Sequence, residues 1–161
     1  MKPVLVGAVS LIAAAAMPAL LVAGWYAIAT MVDANEFGDP YAWLRIRSFA
    51  ALALLIAASH VFILGAPALV LFRVLRRISG WTATIWGFVL GFVPTGVLSW
   101  PHRFDHASAS YDNVATLVNG IPTLAGWLSW IYGAGIMGLL GAVGGLSFWL
   151  IWQRCLRVSH S

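Results

Sequence analysis

Four long apolar runs separated by short polar stretches dominate this chain of 161 residues. They cover about 4–32, 48–72, 81–100 and 123–152. Each reaches the ~20 apolar residues a helix needs to cross a hydrocarbon core about 30 Å thick. The pattern predicts an all-α integral membrane protein. Its four transmembrane helices form an antiparallel bundle within a single membrane domain, 1–161. Residues 33–47 and 101–122 then emerge on one side, and 73–80 on the other. The first run follows Lys2 and is rich in alanine, as a secretion signal is. It is far longer than the ~7–15 apolar residues of such a signal, so it is read as a retained span. Pro18 is expected to kink it, with neighbouring helices satisfying the freed carbonyl.

The segment 101–122 is not wholly polar. Tyr111, Val114, Ala115 and Val118 stand at i, i+3, i+4 and i+7, the spacing of one apolar stripe on a helix. A short amphipathic helix is predicted here, lying on the membrane surface or over the bundle's outer mouth. Ser108 or Ser110 would cap it and Asn119-Gly120 would end it.

Composition supports the membrane reading. Hydrophobic residues make up 61% and charged residues 9%, against roughly 45–50% and 25% in soluble domains. A soluble chain of this size could not hide that much apolar surface. Tryptophan marks the ends of the spans. Trp25 and Tyr26 stand near the outer end of the first. Trp127 and Trp130 stand at one end of the fourth, and Trp149 and Trp152 at the other. The helical rise from Trp127 to Trp149 is about 33 Å, close to the hydrocarbon thickness, as for a paired aromatic belt.

The net charge of +4 comes with no basic stripe and no binding motif, so nucleic acid is not an expected partner. The basic residues speak instead to orientation. Lys2, Arg73, Arg76, Arg77, Arg154 and Arg157 fall on one side. Arg45, Arg47 and Arg103 fall on the other. The positive-inside rule places both termini in the cytoplasm of a multi-pass plasma-membrane protein, with the Ala- and Leu-rich composition suggesting a bacterial inner membrane. Asp33, Glu36, Asp39, Asp105 and Asp112 all fall outside. The turn Arg73, Arg76, Arg77 also suits contact with anionic headgroups. The one cysteine, Cys155, excludes an intramolecular disulfide and is at most a palmitoylation candidate in a eukaryotic host.

Candidate chemistry is sparse. His60 sits within the second span and is the sharpest candidate, because ionisable groups in lipid are costly and are functional suspects by default. Its plainer role is a neutral imidazole bonded to a hydroxyl or carbonyl on a facing helix. No Asp, Glu, Lys or Arg falls within the spans and no internal repeat is visible, which argues against a proton- or cation-coupled transporter. His102, Asp105 and His106 form a weak metal-ligand set, with the two histidines at i and i+4. Gly133, Gly135 and Gly138 match GxGxxG, but no strand precedes them and no acid follows, so a dinucleotide site is rejected. Packing is the better account. Gly135, Gly138, Gly141 and Gly145 lie on the fourth helix, and Gly87 and Gly91 form GxxxG on the third. Small residues of this kind let helices approach closely in lipid. An internal contact between the third and fourth helices is favoured over a contact with another protein.

No cofactor and no catalytic set is expected. Besides the lipid bilayer, the expected partners are another membrane protein or a second copy of the chain. The leading reading is a non-catalytic accessory or interaction subunit. One alternative is a small transporter or channel component acting as an oligomer. Another is a membrane-embedded enzyme or metal-binding protein using 101–112. An immunity-type protein also suits the size, although no residue selects it.

Overall fold

The computed structural model describes residues 3–32, 39–74, 79–100 and 108–158. Helix α1 spans Pro3–Val32. Helix α2, Ala42–His60, continues through a π-helical turn, Val61–Gly65, into α3, Ala66–Val74. Helix α4 is Gly80–Leu98 and α5 is Leu124–Val158. Four helical stretches, Leu5–Val32, Ala42–Leu71, Gly80–Leu98 and Leu124–Cys155, are long and apolar enough to cross a membrane.

Helix α2 begins earlier than the apolar run does, which puts Arg45 and Arg47 on its first turns. The cause lies in Asp39. Its carboxylate accepts the Tyr41 N–H at 2.9 Å, its carbonyl accepts the Ala42 N–H at 3.1 Å, and it pairs with Arg45 at 2.7 Å. The carboxylate fixes the turn just before Tyr41, the N-cap residue, and its charge suits the helix's positive end. Helix α4 starts on Ser79, whose Oγ accepts the Thr82 N–H at 3.1 Å.

Small residues decide which helices meet. Helices α1 and α5 hold the buried residues Val6, Ser10, Ala14, Ala15, Ala19 and Ala134. Helix α2 packs on α1, and α4 packs along α5. A Cβ added at Gly144 of α5 would lie 2.7 Å from the Ala14 carbonyl of α1. The buried Ser10 hydroxyl donates to the Val6 carbonyl at 2.8 Å, so no polar atom there is left unsatisfied. Tyr26 of α1 stacks on Phe49 of α2 with ring centroids 4.3 Å apart.

The predicted amphipathic helix between α4 and α5 is not formed. Strands β1 (Ala109–Tyr111), β2 (Val114–Val118) and β3 (Ile121–Pro122) make an antiparallel sheet in that order. The fold is therefore helical with one small sheet, not all-α. Two hairpin turns explain the correction. Asp112 and Asn113 have φ of 49° and 61°, and Asn119 and Gly120 have 47° and 76°. Positive φ at both central residues is what a two-residue type I′ hairpin requires, and Asn, Asp and Gly adopt it most readily. The segment between these turns, Val-Ala-Thr-Leu-Val, is rich in β-branched residues that favour a strand. Strand β2 then docks on α5. Thr123 caps α5 through the Gly126 N–H at 3.2 Å, while its own hydroxyl donates to Ala115 at 2.7 Å and its N–H to Thr116 at 3.0 Å.

Candidate functional site

The helix contacts leave a gap. The backbones of α2 and α4 barely meet, and the π-helical turn is the part of that stretch that comes nearest α4. Between them lies a cleft of about 440 Å³. Its floor comes from α1 and α5, through residues such as Ala14, Pro18, Gly141 and Gly144. Phe49, Leu52 and Ile56 wall it on α2, facing Trp86 and Leu90 on α4. The volume falls in the range of small-molecule pockets, ~300–1,000 Å³.

The lining is apolar apart from a few groups, among them His60, Thr82 and Thr95. His60 Nδ1 lies 2.9 Å from the Ile56 carbonyl oxygen. A carbonyl only accepts, so Nδ1 is the donor and carries a proton. His60 is therefore bonded within its own helix and not to a facing one. Thr82 Oγ1 is engaged with Ser79 Oγ at 2.7 Å.

His60 ends regular α2, and the π-helical turn begins at the next residue. Pro67 gives the cause. It has no N–H for the Ile63 carbonyl, and its ring crowds that carbonyl. The helix widens upstream, and the Ala66 N–H bonds to Val61, five residues back. Such single-turn widenings are frequent at functional sites. Proline in the second run was visible in the sequence; the placement of His60 at the edge of the widened turn was not.

Of the glycines singled out, Gly87 and Gly91 on α4 approach Gly141, Gly138 and Met137 on α5. A Cβ at Gly87 would fall on the Gly141 carbonyl, and one at Gly141 on the Gly87 carbonyl. Gly145 likewise lies against the Ala83 carbonyl, and Gly138 lies under the Phe88 ring. Gly135 differs, because a Cβ there would meet nothing within 4 Å. At 3.6 residues per turn it sits roughly 80° around α5 from Gly145.

At the sheet end, Trp127 and Trp130 pack with Trp100. Ring centroids are 5.4 Å apart for Trp100–Trp127 and 4.9 Å for Trp100–Trp130. The Trp130 indole N–H donates to the Gly96 carbonyl at 3.0 Å. Trp149 covers Gly80 at the other end of α4. His102, Asp105, His106, Arg76 and Arg77 lie outside the described residues. Arg73 and Arg157 fall in the last turns of α3 and α5, and Arg154 is exposed on α5. Cys155 is a half-buried free thiol. Among the described residues no group of three or more His, Cys, Asp or Glu could hold a metal ion.

Comparison of the chain with protein-family models, with curated proteins and with solved structures finds no match to any of them.

Proposed function

We propose that this chain is an integral membrane protein of four transmembrane helices in an antiparallel bundle. It would lie in a bacterial inner membrane with both termini cytoplasmic, as a non-catalytic accessory subunit that works by binding. One observation carries the reading: the four helices leave an apolar cleft of about 440 Å³ with an imidazole on its wall. The helices α1 to α5 contain no Asp or Glu. A binding role therefore suits them better than coupled transport, which usually relies on intramembrane carboxylates.

Two measurements test this. In cells, a membrane-impermeant maleimide is expected to label Ser110→Cys in a Cys155→Ser background, and to label the native Cys155 only after permeabilisation. The reverse pattern would overturn the orientation, and release of the chain by alkaline wash would overturn membrane integration. For binding, Ala57→Phe projects a ring into the cleft from α2, where α4 stands off. Native mass spectrometry from mild detergent should show a retained apolar molecule on the wild type and not on Ala57→Phe. Identical spectra of the bare chain for both would count against a binding role.

A further inference from the structure

We infer that the small sheet seats on the bilayer itself, with Tyr111, Val114, Val118 and Ile121 dipping into the headgroup and acyl boundary. The inference rests on the membrane reading proposed above, and it adds a second surface on which the chain meets lipid.

The depth of the sheet follows from its tie to α5. The Thr116 carbonyl accepts the Thr123 N–H at 3.0 Å, and a Cβ added at Gly126 would fall on that same carbonyl. Gly126 precedes Trp127 by one residue, a rise of about 1.5 Å, so the middle of β2 sits at the level of that tryptophan. Trp127 packs with Trp100 and Trp130, and tryptophan rings of spanning helices favour the headgroup level. Headgroup layers add about 10–15 Å to a core about 30 Å thick, or roughly 5–7 Å on each side. A strand rises about 3.3 Å per residue, so Val114 and Val118 each lie no more than about 7 Å from Thr116. At any tilt, β2 stays in or beside that layer.

The side chains suit that depth. Residues 108–122 carry a single charged side chain, Asp112. The cross-strand pairs beside the two turns are Tyr111 with Val114 and Val118 with Ile121. All four side chains are exposed, as is Leu124 at the start of α5. At the headgroup level their apolar surface leaves water, while the Tyr111 hydroxyl keeps it.

The edges of the sheet are not built to take another strand, which is the other common use of an exposed sheet. Strand β1 is three residues long, and its register breaks between Ala109 and Ser110. Strand β3 is two residues long and ends in Pro122, which has no N–H to offer. Edges that are short, irregular or closed by proline are poor templates for a further strand. What the sheet offers is its apolar side chains, held at the level of the lipid headgroups.

The test places single cysteines, Tyr111→Cys, Val114→Cys and Ile121→Cys, in a Cys155→Ser background. Each is spin-labelled, and the chain is reconstituted in vesicles of phosphatidylcholine with phosphatidylglycerol. Power saturation with oxygen, which enters lipid, and with a nickel chelate, which stays in water, reads the depth of each label. All three are expected to favour oxygen and to sit about 5–10 Å into the boundary. Ser110→Cys, on the opposite face of β1 from Tyr111, should favour nickel. Leu139→Cys, exposed near the middle of α5, is the control for the membrane reading. If Leu139→Cys favours nickel, that reading itself fails. If Leu139→Cys favours oxygen while the three sheet labels favour nickel, the sheet stands in water and this inference alone is overturned. Sheet labels shielded from both agents would place a second copy of the chain over the sheet, and would equally overturn it. Val114→Cys and Ile121→Cys report from different hairpins, so the comparison stands even if one of them unravels.

Discussion

Replacing Gly141 by Ala tests one of the close contacts between α4 and α5. A Cβ at this position would fall on the Gly87 carbonyl oxygen and lie 3.0 Å from its carbon and 3.2 Å from Gly91 N. Restoring ordinary contact requires α4 and α5 to separate locally by about 1 Å, and a gap of that size forfeits roughly a quarter to a half of each dispersion contact. Overpacking of this kind costs about 1–3 kcal/mol. Gly→Ala also changes the backbone term, by about 0.4–1 kcal/mol in the opposite direction. Gly135→Ala isolates that term, because its Cβ meets nothing. The difference between the two variants therefore reads the contact. Reversible unfolding in mixed micelles with rising SDS, followed by far-UV circular dichroism, should place Gly141→Ala about 1–3 kcal/mol below Gly135→Ala. The double variant Gly87→Ala with Gly141→Ala should cost less than the sum of the singles, since one separation relieves both clashes. Stabilities of Gly141→Ala and Gly135→Ala within about 0.5 kcal/mol would refute the close approach.

Three further outcomes are expected. Thr123→Ala removes the cap of α5 and the tie to Ala115 together, at a cost of about 1–2 kcal/mol, and should raise hydrogen exchange at the β2 amides while Thr123→Ser restores protection. Asn113 has φ of 61°, so Asn113→Gly should be tolerated and Asn113→Val should unravel the first hairpin, read as faster proteolysis between Tyr111 and Thr116. Trp130→Phe loses the bond to the Gly96 carbonyl, with an expected loss of about 1 kcal/mol in the same SDS titration; an unchanged midpoint would show that this bond does not hold α5 to α4.

The four long helices were legible because a run of some 20 apolar residues has few other uses. The sheet was misread for a specific reason. Val114, Ala115 and Val118 satisfy a helical stripe, but Val114, Thr116 and Val118 equally satisfy alternation. In so short a run, period alone does not decide. Asp112-Asn113 and Asn119-Gly120, standing two residues long on either side of five strand-forming residues, were the better signal. The glycines on α4 and α5 announced close packing, yet which carbonyl each one meets depends on helix rotation. Gly135 has the right residue type and the wrong angle. The π-helical turn was half legible, since Pro67 announces a disturbance but not its form. The cleft was not legible at all, because it is defined by two helices that fail to meet.

That failure has a physical source in the distribution of side-chain size. Where α4 faces α5, the contact is made by Gly87 and Gly91 against Gly138, Gly141 and Gly145, so the backbones close up. Where α1 faces α5, Gly144 against Ala14 does the same. In lipid, packing of this kind takes the place of a hydrophobic drive, so the helices with small faces pair first. Helices α2 and α4 present Phe49, Leu52 and Ile56 against Trp86 and Leu90 across the cleft. No small-residue seam of that kind faces α4 from these α2 positions, and the π-helical turn before Pro67 is where the second stretch comes closest to α4. The cleft therefore lies on the α2 side of the glycine seam, with His60 in its lining just before the π-helical turn. Exchanging the large residues for glycine or alanine on facing positions, for example Leu52→Ala with Leu90→Gly, should let α2 and α4 approach and shrink the cleft. A spin-label distance between α2 and α4 that shortens in this pair, and not in Leu55→Ala at an exposed position outside the cleft lining, is the expected result. An unchanged distance would mean that the loops, rather than the side chains, set the gap.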